Sequence, residues 1–293
     1  MGLLLVLCRL DLLRLSASNL RGLIFGGGAS APLFHFWEVV VKTRVSAALI
    51  HFSTSVLIAL AAAGLVFGLW YPYPFSELLG GRELFLWLIS VDVVIGPLLT
   101  FVIFNTAKPR QELVRDVAII VVLQLCALLY GLYVVMQARP VWVACEGDRF
   151  RVVRMVDINI ESLGEAPEAL RGLSWSGPKM LAVRLAKPTD PEYLQSIQAS
   201  IRGDHPAFRP SRWLPYSEQK VQVLKEALPV NALREKKPSQ IKLLDAFLAE
   251  KKYSPEQVVY MPMITGDHND WIVLLHRETG ELLGYIHVDG WLK

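Results

Sequence analysis

Residues 117–136 read VAIIVVLQLCALLYGLYVVM, and this stretch decides the fold because none of its residues is Asp, Glu, Lys or Arg. A helix needs ~20 consecutive apolar residues to cross the hydrocarbon core of a bilayer, since lipid offers no partner to unpaired backbone groups. Two earlier stretches are as long and as apolar, residues 46–70 with no charge and residues 84–104 with one. The sequence therefore predicts three transmembrane helices, over about 46–70, 84–104 and 117–136.

The single charge within the second predicted helix is Asp92. An Asp at the centre of a membrane helix costs ~3 kcal/mol on the insertion scale. The same segment holds fifteen Leu, Ile, Val and Phe residues, and each contributes about 0.3 to 0.6 kcal/mol near the centre. The apolar side chains outweigh the carboxylate, so the segment is still predicted to insert.

The charges of the chain are distributed unevenly. Of the 293 residues, 53% are hydrophobic and 19% are charged, a balance that is skewed for a soluble protein. Lys and Arg outnumber Asp and Glu by 10 to 7 in residues 1–140, whereas residues 141–293 hold 20 of each. A C-terminal half without basic excess excludes nucleic acid as a partner. The three cysteines form no CxxC pair, so no disulfide framework is predicted.

Basic residues flank the predicted spans on one side. Lys42 and Arg44 precede the first span and three basic residues lie in the second loop, whereas the first loop holds Arg82 alone. The positive-inside rule places the N-terminus and the second loop in the cytoplasm. We therefore predict a multi-pass protein of the bacterial inner membrane whose C-terminal domain lies in the periplasm.

Aromatic residues cluster around the first predicted loop. Because aromatic side chains are enriched at membrane interfaces, we expect this cluster to form an aromatic belt. The prolines of YPYP and the following glycine pair predict a tight outer connection between the first two spans. The residues concerned are Trp70, Tyr71, Tyr73 and Trp87, with Gly80 and Gly81.

Residues 1–41 form an N-terminal extension. Its apolar start, MGLLLVLC, is soon interrupted by Arg9, Asp11 and Arg14, so no cleaved signal peptide is predicted. The run VVVKTR at residues 39–44 is typical of a natural N-terminus ahead of a first membrane helix. We hypothesise that translation starts there at a valine-type codon and that the extension is a gene-calling artefact. Peptides such as DLLR, from Asp11, would refute the hypothesis in mass spectrometry.

After Pro140 the pattern changes to short alternating apolar runs that are typical of strands. The runs on either side of Glu146-Gly147-Asp148 predict a β-hairpin, and the three last runs predict an antiparallel meander. Residues 42–139 are thus predicted to form a three-helix transmembrane bundle, and residues 140–293 a soluble α+β domain with a mainly antiparallel sheet. The predicted strands are Val141–Ala144, Phe150–Val156, Leu181–Leu185, Val258–Ile264, Trp271–His276 and Leu282–Val288.

Three helices are predicted in the same domain. Each follows a residue whose side-chain oxygen can accept a hydrogen bond from the first turn. The third has an apolar face that should pack against the sheet. The helices are Pro191–Arg202 after Asp190, Glu218–Leu228 after Ser217, and Gln240–Glu250 after Ser239.

Asp92 is the first candidate for a functional site, because an ionisable residue at membrane depth is a functional hypothesis by default. It shares a helix face with Gly96 and Thr100, and Gly96 would allow a neighbouring backbone to approach closely. Pro97 removes a backbone donor and predicts a kink. Counted from the cytoplasmic ends, Tyr130 lies at about the depth of Asp92.

A second polar layer is predicted nearer the cytoplasm, where His51, Thr100 and Gln124 share one depth. The two layers have two interpretations: they grip the transmembrane helix of a partner, or they fix the packing of the three helices by internal hydrogen bonds. The candidate residues are Asp92, Gly96, Pro97, Thr100, Gln124, Tyr130 and Gly131.

No pattern of catalytic or metal-binding residues emerges. Asp267, His268 and Asp270 lie in one turn, where such closely spaced residues rarely converge on a metal without ligands from elsewhere. The chain contains no nucleophile elbow, phosphate loop, HExxH or kinase signature. We therefore predict no metal, no cofactor and no catalytic residue, and a protein that is not an enzyme.

Several stretches together carry a resemblance to one family. The combination of VD-x-x-x-GPLLT with the later YG and ARP sequences is specific, whereas each piece alone would be weak. On these residues, and over about residues 42–293, the chain resembles the TfpX/TfpZ type IV pilin accessory proteins. The main stretches are YPYPFSELLGGRELF at 71–85, VDVVIGPLLTFVIFN at 91–105, ARPVWVACEGDRFRVV at 138–153 and DWIVLLHRETGELLGYIHVD at 270–289.

The resemblance implies an inner-membrane protein that helps a particular type IV pilin to be stabilised or assembled into pili, without known catalysis. The implied partners are the major pilin, membrane lipid and further pilus assembly proteins. Two other classes stay open. A membrane-tethered enzyme that modifies pilin should show a pocket with converging Ser, His or acidic groups, and a periplasmic sensor should have a cytoplasmic output domain, for which the cytoplasmic parts are short.

Overall fold

The computed structural model describes residues 31–105, 107–238, 240–266 and 268–292, with side chains from Val41 onward. Within these ranges, three helices are long and apolar enough to cross a membrane: Val41–Trp70, Gly81–Ile103 and Arg110–Gln137. They confirm the three predicted spans, and each begins earlier than predicted. The predicted extension over residues 1–41 lies outside the described residues, apart from the helical backbone that begins at Ala31.

The spans are built from α-helices interrupted by two π-helical turns. Pro97 accounts for the second of these turns, because it lacks an N–H and its ring crowds the carbonyl four residues earlier, which a wider turn accommodates. The elements are α1 (Ala31–Leu65) with a π-helical turn (Val66–Trp70), α2 (Phe75–Leu78), α3 (Gly81–Ser90) with a π-helical turn (Val91–Ile95), α4 (Gly96–Ile103) and α5 (Arg110–Gln137).

The chain divides into two compact units. The first consists of the residues up to Leu57 together with Ser90–Cys126, and the second of Ile58–Ile89 together with Ala127–Lys293. The second unit therefore combines one end of each span, the loop between the first two spans and the whole sheet domain.

The sheet domain confirms the predicted α+β fold. Its strands are ordered β4-β3-β1-β2-β6-β7-β8, with β5 paired to β6. All pairs are antiparallel except β1 with β3 and β2 with β6, and both the hairpin and the closing meander are present. The strands are β1 (Pro140–Glu146), β2 (Arg149–Arg154), β3 (Lys179–Val183), β4 (Trp213–Pro215), β5 (Leu228–Pro229), β6 (Val258–Ile264), β7 (Trp271–His276) and β8 (Leu282–Ile286).

The helices of this domain depart from prediction at their ends. Their ranges are α6 (Tyr193–Ile201), α7 (Tyr216–Glu226), α8 (Val230–Lys236) and α9 (Ile241–Lys251), of which α8 was not predicted. The predicted caps of the first two are wrong: the Asp190 carboxylate accepts a hydrogen bond from the Lys187 N–H instead, and Ser217 lies inside α7. Ser239 lies outside the described residues. The predicted second helix ends early because Leu228–Pro229 pairs with β6.

Apolar side chains cover both faces of the central strands, so β1 and β6 are buried along their whole length. One face carries Val143, Phe150 and Met261, and the opposite face carries Trp142 and Tyr260. Strands buried on both faces have continuous apolar runs, which explains the sequences VWVAC and VVYMPMI.

Candidate functional site

A polar contact joins the second and third spans within the first unit. The Gln124 side-chain amide donates a hydrogen bond to the backbone carbonyl of Asp92, with Nε2 and O 3.0 Å apart. Gly96 makes this contact possible, because a Cβ at position 96 would overlap with the Gln124 amide. The candidate residues Asp92, Gly96 and Gln124 are thus brought together at one point of the bundle.

The same unit holds a second polar contact. His51 Nδ1 and Thr100 Oγ1 lie 2.6 Å apart, and Thr100 is buried. Pro97 is also buried. The first span is joined to the second through this pair, as the second is joined to the third through Gln124.

Two acceptors at the Asp92 contact are unsatisfied. Asp92 Oδ1 and Gln124 Oε1 are both buried, and neither has a hydrogen-bond partner among the described residues. In a membrane helix such groups are expected to find donors, because the lipid supplies none. The contact therefore leaves two buried oxygens without a hydrogen-bond donor among the described residues.

Tyr130 and Gly131 belong to the second unit. Tyr130 points away from the protein, with 71% of its surface exposed. At Gly131 a Cβ would overlap with Leu88, so this glycine permits close packing of the second and third spans. Tyr130 therefore presents its hydroxyl group at the surface of the helices and does not take part in a polar layer inside the bundle.

The loop between the first two spans is inserted into the sheet domain. Phe75 is 3% exposed and Leu78 is buried, and both belong to the cluster around Val143 and Met261. The Phe75 ring meets Tyr285 edge to face, with centroids 5.1 Å apart. The loop is therefore part of the core of the domain and more than a tight connection.

The prediction of an aromatic belt is wrong for two of its four members. Trp70 and Tyr71 are buried, and the Tyr71 hydroxyl donates a hydrogen bond to the Val135 carbonyl at 3.0 Å. Only Tyr73 and Trp87 are exposed. The buried pair packs the span ends against one another because the sheet domain continues directly above them.

Arg139 fixes the start of the sheet domain to the third span. It is almost fully buried, and its guanidinium donates hydrogen bonds to the Met136 carbonyl at 2.9 Å and the Ser174 carbonyl at 3.4 Å. The guanidinium also lies 4.7 Å from the centre of the Trp175 ring. Burial lowers the pKa of this guanidinium, and the nearby Tyr71 hydroxyl acts in the opposite direction. Arg139 is a structural residue.

Sequence reasoning missed Phe75, Leu78 and Arg139. The signal for the loop was the spacing of Phe75, Leu78 and Leu79, which places three apolar side chains on one face of a single helical turn. An apolar face gains no stabilisation on a loop that is exposed to water, so this spacing indicates that the loop is buried. No comparable pattern marks Arg139, which lies between the end of the third span at Gln137 and the first strand.

The turn that was weighed as a metal site holds an ion pair. His287 Nε2 lies 2.6 Å from Asp270 Oδ2, and the His287 ring stacks on Trp271. Burial raises the pKa of Asp270, but the hydrogen bond from His287, a backbone hydrogen bond and the charges of His287 and His268 together outweigh burial, so the pKa is lowered overall. Asp267 lies outside the described residues. No group of three or more potential metal ligands occurs among the residues described.

Three apolar spans joined by polar contacts, with a sheet domain that follows the third span, define the class of multi-span membrane proteins with an extramembrane domain. A family model described as fimbrial assembly protein FimB matches residues 39–80, which are the first span and the inserted loop. No solved structure matches the chain.

Fimbrial assembly proteins of Dichelobacter nodosus are similar to most of this chain. The serogroup E1 protein is 33% identical over 232 residues, which cover 78% of this chain and 89% of that protein. The serogroup I protein is 32% identical with the same coverage. The protein of serogroups C1 and C2 is 40% identical over 117 residues, 40% of this chain and 89% of that protein. The chain therefore belongs to the fimbrial assembly protein family, which confirms the resemblance to pilin accessory proteins.

Proposed function

We propose that this protein assists the stabilisation or assembly of a cognate type IV pilin by binding it without catalysis. The helices hold the N-terminal membrane helix of the pilin, and the sheet domain contacts its water-exposed head. Membership of the fimbrial assembly protein family supports the role in pilus assembly. The major pilin, membrane lipid and other pilus assembly proteins are the proposed partners, and no cofactor takes part.

The observation that carries the membrane part of this proposal is the pair of unsatisfied acceptors, Asp92 Oδ1 and Gln124 Oε1. A hydroxyl, amide or other donor on a partner helix would satisfy them. Hydrogen bonds between membrane helices contribute about 0.6 to 1.7 kcal/mol each, which is enough to select one partner helix among many apolar ones. The exposed Tyr130 offers a further hydroxyl to the same class of partner.

The proposed topology places Lys42 and the loop around Lys108 in the cytoplasm of a bacterial inner membrane. The third span then runs outward, and the sheet domain follows it in the periplasm. Only two residues separate the end of α5 at Gln137 from the start of β1 at Pro140. The head of a pilin held by the helices would therefore be presented close to the sheet domain.

Co-purification of pilin with the full-length protein tests the membrane grip. Asp92→Ala combined with Tyr130→Phe should lower the recovered pilin about three- to eightfold, the loss expected of one to two interhelical hydrogen bonds of average strength, ~0.6 kcal/mol each. Asp92→Asn keeps one acceptor and should lose less.

The matched control for the tyrosine is Tyr133→Phe, on the same helix. The Tyr133 hydroxyl already accepts a hydrogen bond from Gln137 at 2.8 Å, so its loss should leave pilin recovery unchanged. Unchanged recovery with the Asp92→Ala and Tyr130→Phe double variant would count against the proposed grip.

A further inference from the structure

Helix α6 exposes its apolar side to solvent and turns a polar residue toward the protein. Its apolar residues Leu194, Ile197 and Ile201 are 72%, 41% and 81% exposed, whereas the side facing the protein carries Ser196, which is 6% exposed. A helix on the surface of a soluble domain normally turns its apolar side inward, because burial of that side is what holds the helix in place. Folding of this chain alone does not explain the arrangement.

The three apolar side chains form one continuous row. Their spacing of three and four residues places them within about 60° of one another around the helix axis. Single exposed apolar residues are ordinary on protein surfaces, but a contiguous row indicates an interaction surface. We define the docking row as Leu194, Ile197 and Ile201.

A basic groove borders the same helix. Three arginines and two carboxylates line it, so its net charge is positive. The Arg209 guanidinium is held by Asp204 at 2.8 Å, whereas Arg212 makes a longer ion pair with Glu192 at 3.3 Å. Arg212 is 7% exposed, and its Nη1 has no hydrogen-bond partner among the described residues. Arg212 thus keeps one donor that no described residue satisfies.

The position of α6 in the fold favours a protein over lipid as the occupant. The segment that contains α6 leaves the sheet after Val183 and returns at Trp213, and these two residues pair with each other. The preceding residue of β3 pairs with Cys145, which lies about 17 Å along β1 from Pro140, the residue that follows the third span. The segment that carries the docking row is therefore attached to the end of the sheet that, measured along β1, is farther from the third span.

We propose that the docking row and the basic groove together receive the water-exposed head of the pilin, at a place where a carboxylate lies beside apolar side chains. The identity of the partner rests on the proposed function. The apolar row supplies the buried contact, and Arg202, the exposed residue that follows Ile201 at the end of α6, supplies a cation that lines the groove. Arg212 is a buried positioning charge of the same groove.

Photo-crosslinking in cells tests this surface. A benzophenone amino acid placed at Ile197 of the full-length protein should form an adduct with pilin at a residue outside its membrane helix. Leu194→Asp or Arg202→Glu should lower the adduct yield about tenfold, because hot-spot residues at an interface each contribute well over 1 kcal/mol. Leu243→Asp is the matched control, since Leu243 is an exposed leucine on helix α9.

A charge exchange provides the second measurement. When a pilin Asp or Glu next to the crosslinked residue is changed to Lys, adduct formation with the Arg202→Glu variant should be restored. Co-purification of pilin with the unmodified protein separates the two possible failures. If pilin co-purifies but Ile197 gives no adduct, or one only with lipid, a second copy of this chain or another protein, this inference is overturned and the proposed function stands. If pilin does not co-purify, both are overturned.

Discussion

At the level of single residues, Asp92 and Gln124 form the contact on which the proposed membrane grip depends. Gln124 uses its amide N–H to hold the backbone of the second span, which leaves its oxygen and the Asp92 carboxyl unsatisfied. If the contact served packing alone, each group would be expected to find a partner inside the bundle. The residual acceptors therefore favour a partner helix over purely internal hydrogen bonding.

Cys145 provides a residue-scale prediction about the sheet core. Burial, followed by the negative charges of Glu226, Asp148 and Glu146, raises the pKa of its thiol to about 12. At pH 8 only about one thiol in 10⁴ is then ionised, against about one in four for an ordinary cysteine. With the other cysteines replaced by serine, maleimide should label Cys145 only after unfolding in detergent such as dodecyl sulfate.

The matched control for this labelling is Val221→Cys in the same background, because Val221 is exposed on helix α7. It should be labelled at once. Native Cys145 should stay unlabelled at pH 8, because burial excludes the reagent and the raised pKa keeps the thiol protonated. Equal labelling rates of the two positions in the native protein at pH 8 would show that Cys145 is not in a closed core.

At the scale of elements, the loop that carries α2 is the part of the fold that sequence reasoning could least anticipate. The spans were predictable because length and lack of charge suffice, and the meander was predictable from its alternation and turns. The burial of Phe75 depends on a core that closes only when residues far apart in the chain meet. The missed cap at Ser217 has a similar cause, since the pairing of β4 and β5 sets where α7 begins and ends.

The polar contact around Asp92 was likewise predictable from the sequence only in part. That Asp92, Gly96 and Thr100 lie on one helix face followed from the spacing alone. That Gln124 faces Asp92 while Tyr130 is exposed depends on the rotation of α5 about its own axis, which a uniformly apolar helix does not encode. Closely packed glycines such as Gly131 fix that rotation through side-chain contacts that only the structure reveals.

Truncation of Phe75 tests the role of the loop. Because Phe75 is buried in the sheet core, Phe75→Ala should lower the free energy of unfolding by about 3 to 5 kcal/mol. Tyr73→Ala, in the same loop but 75% exposed, should change it by less than about 0.5 kcal/mol. Thermal unfolding of the two variants in mild detergent provides the comparison. Equal midpoints would mean that the loop is not part of the core.

At the scale of the whole molecule, the sheet domain is not an independent appendage of a membrane anchor. The second unit takes in one end of each span, the inserted loop and the sheet, fastened by Phe75, Tyr71 and Arg139. A pilin that contacted both the helices and the sheet domain would therefore engage a single folded body over that part of its length.

Reporter fusions test the proposed topology. Alkaline phosphatase is active only when exported, so a fusion after Lys293 should be active and one after Lys108 should be inactive. The basic residues near Lys108 are the physical reason, because the positive-inside rule predicts that a loop rich in Lys and Arg stays in the cytoplasm. The reverse pattern of activity would place the sheet domain in the cytoplasm, where it could not meet the pilin head.

In the proposed function, the helices hold the membrane helix of pilin at Asp92. The most direct measurement places a photoreactive amino acid at Ile95, an exposed residue three positions along the same helix, in cells that produce the pilin. We expect an adduct within the ~25 N-terminal residues that form a membrane span of pilin. The adduct should be lost with Asp92→Ala. It should be retained with the control Gly64→Ala, because the added methyl group at position 64 contacts no other atom. If no adduct forms, or if it forms equally with Asp92→Ala, pilin is not held at Asp92.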